Sequence, residues 1–266
     1  MQTQQATSYD FPVDLERAFD MRGKVVPNTK LIVRKDTDLV LASVSDKYRL
    51  ITHKEAMGPV SDFTRSLGAS TVDYSLERDG ARLLATHTYK DIAVTLPGHK
   101  MPGQKQVGDT VALRTHSINS YNATTSFEFS IGALVLRCLN GATAFEDMFS
   151  LRYRHIGVDT LEFPKADLVL SAFQNQGNAW KAWAETEITP IQRTQLIEHT
   201  MKLQIVSKRA YSENTEYFTG AETVWDLYNA ATYVITHSTK IQESGKLNRF
   251  DRLNILFNHT FSKKVA

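Results

Sequence analysis

The residues best suited to chemistry are one cysteine, Cys138, eight histidines and a scatter of carboxylates. A thiol nucleophile needs a neighbouring base and a lowered pKa. Cys138 instead closes an apolar run, Leu134-Val-Leu-Arg-Cys-Leu, and reads as a buried structural cysteine. One thiol supplies neither a disulfide framework nor a multi-thiolate metal site. The histidines (His53, His87, His99, His116, His155, His199, His237 and His259) never fall four apart or as His-x-His. A zinc site would therefore have to gather its ligands from scattered elements. Glu128, Glu146 and Asp147 lack the spacing of an acid/base pair, and Glu146-Asp147 reads as the acidic first turn of a helix. The dinucleotide fingerprint, the phosphate loop and the Gly-x-Ser-x-Gly elbow are absent. The expectation is a non-enzyme with no cofactor and no metal.

The chain does carry cations in the company of glycines and aromatics. From Ile92 to Gly108 there is no acid, and the loop Pro97–Gly108 holds His99, Lys100 and Lys105. Glycines let a backbone approach phosphates and lysines supply the counter-charge, although a solvated hairpin tip would read the same way. Arg82, Lys90, Arg114 and His116 fall on neighbouring strands and make a basic face if register allows. Tyr121 is the central aromatic of a polar turn, either a platform for a base or a plain turn residue. Arg152-Tyr-Arg-His-Ile-Gly either holds phosphates through Arg152 and Arg154 while Tyr153 stacks, or forms a basic helix end. Lys240, Lys246, Arg249, Arg252, Lys263 and Lys264 surround Phe250, Phe257 and Phe261, as a solubilising face or a phosphate-contacting edge. Trp180, Trp183 and Trp225 read first as core or protomer-interface residues.

These residues must be placed by elements that the pattern also predicts. Residues 1–29 read as a polar N-terminal arm, with one or two helical turns near Asp14–Asp20. Leu31–Arg34, Asp38–Val44 and Tyr48–Ile51 read as short strands. Thr52 caps a helix to Leu67, broken or kinked near Gly58-Pro59 and stopped at Gly68. Thr71–Arg78 alternates apolar and polar and turns at Asp79-Gly80, a two-residue hairpin signal. Strands follow to Cys138, and after Asn140-Gly141 the period lengthens to that of helices. Helices are expected at 165–185, from the Thr189-Pro190-Ile-Gln192 start to about Ile205, at 222–236 and at 247–261. The fold class is α+β: an antiparallel sheet region over 30–145, with a long hairpin and one helix, and a helical region over 146–266 packed on it as one compact domain.

With 42% hydrophobic residues and a net charge of +2, the chain is not disordered. No run approaches the roughly 18 apolar residues of a membrane span. The start, Met1-Gln-Thr-Gln-Gln-Ala-Thr-Ser, lacks a secretory pattern, and a single thiol fits a reducing cytoplasm.

Several segments, in order, resemble a family found mainly on phages and conjugative plasmids, the domain of unknown function 932. They are Val40–Leu50 leading into Ile51-Thr-His-Lys-Glu-Ala, Val111–Ser120, Phe127–Gly141 ending in Cys138-Leu-Asn-Gly, Arg154-His155 and Thr223-Val-Trp-Asp-Leu-Tyr-Asn-Ala. The resemblance runs from about Leu31 to Phe261. The chain departs from it at Ser117–Asn122, where the family often has Asn-Ser-x-Asp-Gly-Ser, and at Val135, where it often has arginine. The resemblance implies a mobile-element protein in a bacterial cytoplasm. The order of elements is also similar in outline to strand-annealing proteins of the RecT and Red-beta kind. The expected function is binding of nucleic acid, single-stranded DNA above all, by a homo-oligomer with no membrane attachment. Annealing or recombination would be its use. Lys100, Lys105, Arg114, Arg152 and Arg154 would hold phosphates, and Tyr121 or Tyr153 would stack bases. The alternative is a protein-interaction module acting on a host defence or regulatory protein, for which an apolar patch near Trp180 and Trp183 would speak.

Overall fold

The computed structural model describes residues 9–98, 108–122, 125–135, 140–143, 151–153, 161–238 and 240–261. Antiparallel sheets occupy the N-terminal half and helices the C-terminal half, so the protein is α+β.

Three strands, β1 (Val13–Phe19), β2 (Val25–Arg34) and β3 (Leu39–Ser45), form a small sheet with β2 in the centre. The expected polar arm is therefore mostly strand. Asp14–Asp20 mimics a helical turn through Leu15 and Ala18, but Phe11, Val13 and Ala18 are buried, and β1 pairs with β2 along Val13↔Arg34 to Phe19↔Val25. The turn between them is built on Asp20, whose Oδ1 accepts the N–H groups of Arg22 (2.8 Å) and Lys24 (2.9 Å). Short polar side chains favour such turns because they satisfy backbone donors locally.

Helix α1 (His53–Leu67) starts on a reciprocal cap. Thr52 Oγ1 accepts the Glu55 N–H at 3.1 Å, and Glu55 Oε2 accepts the Thr52 N–H at 2.7 Å. The helix runs unbroken through Pro59 and stops at Gly68, and Tyr48–Ile51 is a loop rather than a strand. The larger sheet has the order β4-β5-β6-β7-β8, with β9 also on β7. Its strands are β4 (Thr71–Glu77), β5 (Arg82–Leu96), β6 (Asp109–Ser120), β7 (Phe127–Val135), β8 (Asn140–Thr143) and β9 (Leu151–Tyr153). Between β4 and β5 the turn is longer than two residues. Arg78 and Asp79 both take positive φ, followed by Gly80 at +93°.

The helices are α2 (Ala166–Glu185), α3 (Pro190–Lys202), α4 (Lys208–Glu213), α5 (Thr215–Thr219), α6 (Val224–Thr236) and α7 (Glu243–Phe261). Helix α3 begins on the Thr189–Gln192 cap that its sequence predicts. All three tryptophans are core: Trp180 packs on Trp225 (ring centroids 5.9 Å apart), Trp225 stacks on Tyr228 (5.6 Å) and Trp183 meets Phe257 (5.8 Å). Helix α2 approaches β5 so closely at Gly177 that a Cβ there would meet Val94 Cγ2 at 2.6 Å.

By its contacts the chain falls into two compact units. One comprises Met1–His87, Thr115–Ser130 and Ser150–Ala166; the other comprises Thr88–Arg114, Ile131–Phe149 and Asp167–Ala266. Among the described residues no helix is long and apolar enough to cross a membrane.

Gly80 is the most closely packed glycine among the described residues of the first unit. A Cβ there would lie 2.8 Å from Phe11 Cζ and 2.9 Å from Arg34 Nη1, at a φ that L-residues avoid. Gly80→Ala is expected to remove about 2–3 kcal/mol of stability, read as a lowered urea midpoint. An unchanged midpoint would show that the contact yields without cost.

Candidate functional site

The first unit is organised around a buried imidazole. His53, the first residue of α1, is fully buried. Its Nε2 lies 2.9 Å from the Gly80 carbonyl, and its Nδ1 lies 3.0 Å from Asn119 Nδ2. A carbonyl can only accept and an amide NH2 can only donate, so the ring proton sits on Nε2. Asn119 Nδ2 also donates to Ile51 O at 3.1 Å, which fixes the orientation of the amide. The Tyr121 ring stacks on the imidazole (4.0 Å between centroids), and its hydroxyl accepts the His53 N–H at 2.8 Å. Burial pushes the Tyr121 phenol up to about 12.

Phe11 meets both rings edge-on, and the Arg34 guanidinium lies over Phe11 at 3.9 Å. Arg34 also donates through Nη1 to Asp79 O at 3.0 Å and through Nε and Nη2 to Asp36 at 2.7 and 2.9 Å. The Asp36 hydrogen bonds hold Arg34 above its ordinary pKa and Asp36 below its own. Arg34 ends β2, so this cluster anchors the root of the β1–β2 hairpin.

At the other end of the same two strands lies a group of cations unpaired among the described residues. Arg17 is the register partner of Lys30, and Phe19 that of Val25. Cross-strand partners share one face of a ladder. The cationic pair is followed on β1, two residues on, by the apolar pair, across an irregularity that leaves residues 26–29 of β2 opposite Ala18 alone. Phe19 is 59% exposed and Met21 fully so, while Arg22 and Lys24 complete the tip. Among the described residues none of the Arg17, Arg22, Lys24 and Lys30 side chains has an ion-pair or hydrogen-bond partner. The nearby Glu16 is held by Lys35 at 2.8 Å, and Asp20 is engaged by the turn.

The residues singled out from sequence do not form one track. Lys100, Lys105, Arg154 and Cys138 lie outside the described residues. Tyr121 is 1% exposed, with one face on His53 and its hydroxyl engaged, so it offers no platform to a base; the polar turn hid a core residue. Tyr153 is pinned, its hydroxyl donating to Glu162 O at 2.6 Å and accepting the Glu162 N–H at 3.0 Å. Arg152 is exposed but sits 3.5 Å from Glu128, its register partner on β7. Arg114 is half-buried and donates from Nε to Thr88 Oγ1 at 3.0 Å. The imagined basic sheet face fails as well: Arg82 pairs with Glu77 at 3.3 Å, and His116 is buried against Thr86. Trp180 and Trp183 are buried and leave no apolar patch there for a partner. No group of three or more His, Cys, Asp or Glu able to hold a metal occurs among the described residues.

Reading residues 1–29 as an arm is what concealed the hairpin cations. The available signal was Asp20-Met-Arg-Gly23, a turn sequence between Leu15 and Val25-Val26.

The sequence profile of the domain of unknown function DUF932 matches residues 40–254. The chain belongs to this family. No curated protein and no solved structure matches it. Within this DUF932 chain three of the segments that carried the resemblance do structural work. Thr52 and Glu55 cap α1, while His53 and Asn119 join α1 to β6. Thr223 and Asp226 cap α6, and Trp225 Nε1 donates to buried Asp109 Oδ2 at 3.0 Å. The hairpin cations, by contrast, precede the DUF932 match, which begins at Val40.

Two cations facing each other across a strand pair destabilise it. Arg17→Glu is expected to convert that repulsion into attraction and to raise stability by about 0.2–1 kcal/mol, measured as a higher thermal midpoint. A lowered midpoint would mean that Arg17 contributes to folding.

Proposed function

We propose that the protein binds single-stranded nucleic acid through the tip of its β1–β2 hairpin. The reading rests on one observation: Arg17, Arg22, Lys24 and Lys30 of this hairpin are unpaired among the described residues, and the same hairpin exposes Phe19 and Met21. Cations neutralise phosphates, and an aromatic face stacks on any base, so the combination favours strands without reading sequence. A duplex hides its base faces and leaves Phe19 no partner except at a disrupted step. The cation pair that weakens the free hairpin is compensated when a phosphate lies between the two side chains. Binding needs no cofactor and no bond chemistry. Assembly into a homo-oligomer would set several hairpins along one strand, and annealing or recombination of mobile-element DNA in a bacterial cytoplasm would be the use of such a surface.

Fluorescence anisotropy with a labelled oligodeoxythymidine tests this. Affinity is expected to fall with salt, and each cation reversed among Arg17, Arg22 and Lys24 should reduce the log–log slope by about 0.7. Phe19→Ala should weaken binding by about 1–3 kcal/mol. Arg17→Glu should weaken binding while its fold is at least as stable as the parent, separating lost contact from misfolding. Unchanged affinity in these variants overturns the proposal, as does binding to acidic phospholipid vesicles with none to the oligonucleotide.

A further inference from the structure

The second unit contains a cleft of about 440 Å³ between the α3–α4 connection, α4, the end of α6 and the start of α7. That volume is within the range of small-molecule sites. The cleft forms where helices expose carbonyls, and three cations already serve those carbonyls. Arg249 Nη1 donates to Ile205 O at 2.9 Å, Lys246 Nζ to Thr236 O at 2.9 Å, and Arg252 to Leu203 O. Cations at helix C-termini complement the helix dipole, so these three have a structural task.

Other cations in the cleft have no such task. Among the described residues Arg209 is held only by Glu213, one turn away on the same exposed helix, at 2.7 Å. Lys240 is exposed and has no ion-pair or hydrogen-bond partner among the described residues. His237 packs on Tyr233 at 4.4 Å, and Tyr233 stacks on Tyr217 at 4.6 Å, so three rings form a short column at the cleft. The floor is apolar, with Ile205, Val206, Val234 and Ile235 all buried. Three permanent cations (Arg209, Lys240 and Arg249) line the cleft against one carboxylate, Glu213, a surplus of two positive charges. A phosphate monoester carries about −1.5 to −2 at neutral pH.

We infer that this cleft binds a phosphate monoester of mononucleotide size, with Lys240, Arg209 and His237 holding the phosphate and the apolar floor taking the group it carries. Burial first, and the neighbouring Arg252 second, hold the Arg249 guanidinium below its ordinary value. Arg–phosphate contacts are charge-assisted and roughly twice as strong as hydrogen bonds between neutral groups. The site is independent of the hairpin reading: it lies in the other unit and uses none of the same residues.

The test is calorimetric titration of the full chain with adenosine monophosphate, with adenosine as the uncharged control. Saturable binding of the nucleotide, none of adenosine, and at least a tenfold loss in Lys240→Glu support the site. Lys240 makes no contact that the fold needs, and Arg209→Glu serves as the second variant. Arg17→Glu should leave the titration unchanged, so the cleft and the hairpin stand or fall separately. A 5′-phosphorylated oligonucleotide that competes, where its 5′-hydroxyl counterpart does not, assigns the monoester to a strand end. Competition by neither assigns it to a free nucleotide. The inference is overturned if the nucleotide does not bind saturably, or if Lys240→Glu and Arg209→Glu both bind it as the parent does.

Discussion

A buried imidazole with both nitrogens engaged is the constraint on which the first unit depends. His53 sits where α1, the β4–β5 turn and β6 converge, and it is satisfied by one group from each of the latter two, Gly80 O and Asn119 Nδ2. Leaving either of its nitrogens unpaired at full burial would cost about 1–3 kcal/mol, so the turn and the strand are held at fixed distances from the helix. The face of β6 that carries Asn119 also buries Thr115 Oγ1 and Ser117 Oγ without partners among the described residues. Polar interior is already expensive there, which makes each satisfied pair matter more. Phe11 and Arg34 transmit the arrangement to the small sheet, since Phe11 fills the space that a side chain at Gly80 would need.

The second unit follows a different logic, in which large aromatics set the spacing and a few polar groups set the register. Trp225 can bury its ring because Asp109 accepts its N–H. Caps at Thr189 and Thr223 satisfy the N-termini of α3 and α6, and basic side chains satisfy the carbonyls of Leu203, Ile205 and Thr236. Much of the basic character of residues 240–252 is therefore spent inside the protein, which is why net charge predicts so little about its surface.

Local signals were legible where they act locally. Thr52 with Glu55, and Thr189 with Pro190 and Gln192, announce helix starts because a cap is made by residues three apart. The long β5–β6 hairpin and the switch from strand to helix periodicity were equally plain, and with them the α+β class. Properties that depend on distant partners were not legible. Tyr121 looks like an exposed turn residue until α1 supplies the imidazole that covers it. Arg82, Arg114 and Arg152 look available until register places Glu77, Thr88 and Glu128 beside them. Asp14–Asp20 looked helical because Leu15 and Ala18 share a spacing common to a helix face and to a bulged strand. Only the pairing with β2 decides between them.

His53 reaches Gly80 over 27 residues, Asn119 over 66 and Tyr121 over 68. A ribosome adding about 5–20 residues per second therefore exposes the N-terminal hairpin for seconds before α1 and β6 can clamp its base. During that interval Phe19 and Met21 are not the only apolar side chains in water, because Ile32 and Val33 are uncovered too. The Asp20 turn, which draws only on its own neighbours, is then the one part of the hairpin able to persist. Nascent chains stalled before β6 should be the aggregation-prone species, and a cell making this protein has most need of a chaperone at that stage of synthesis.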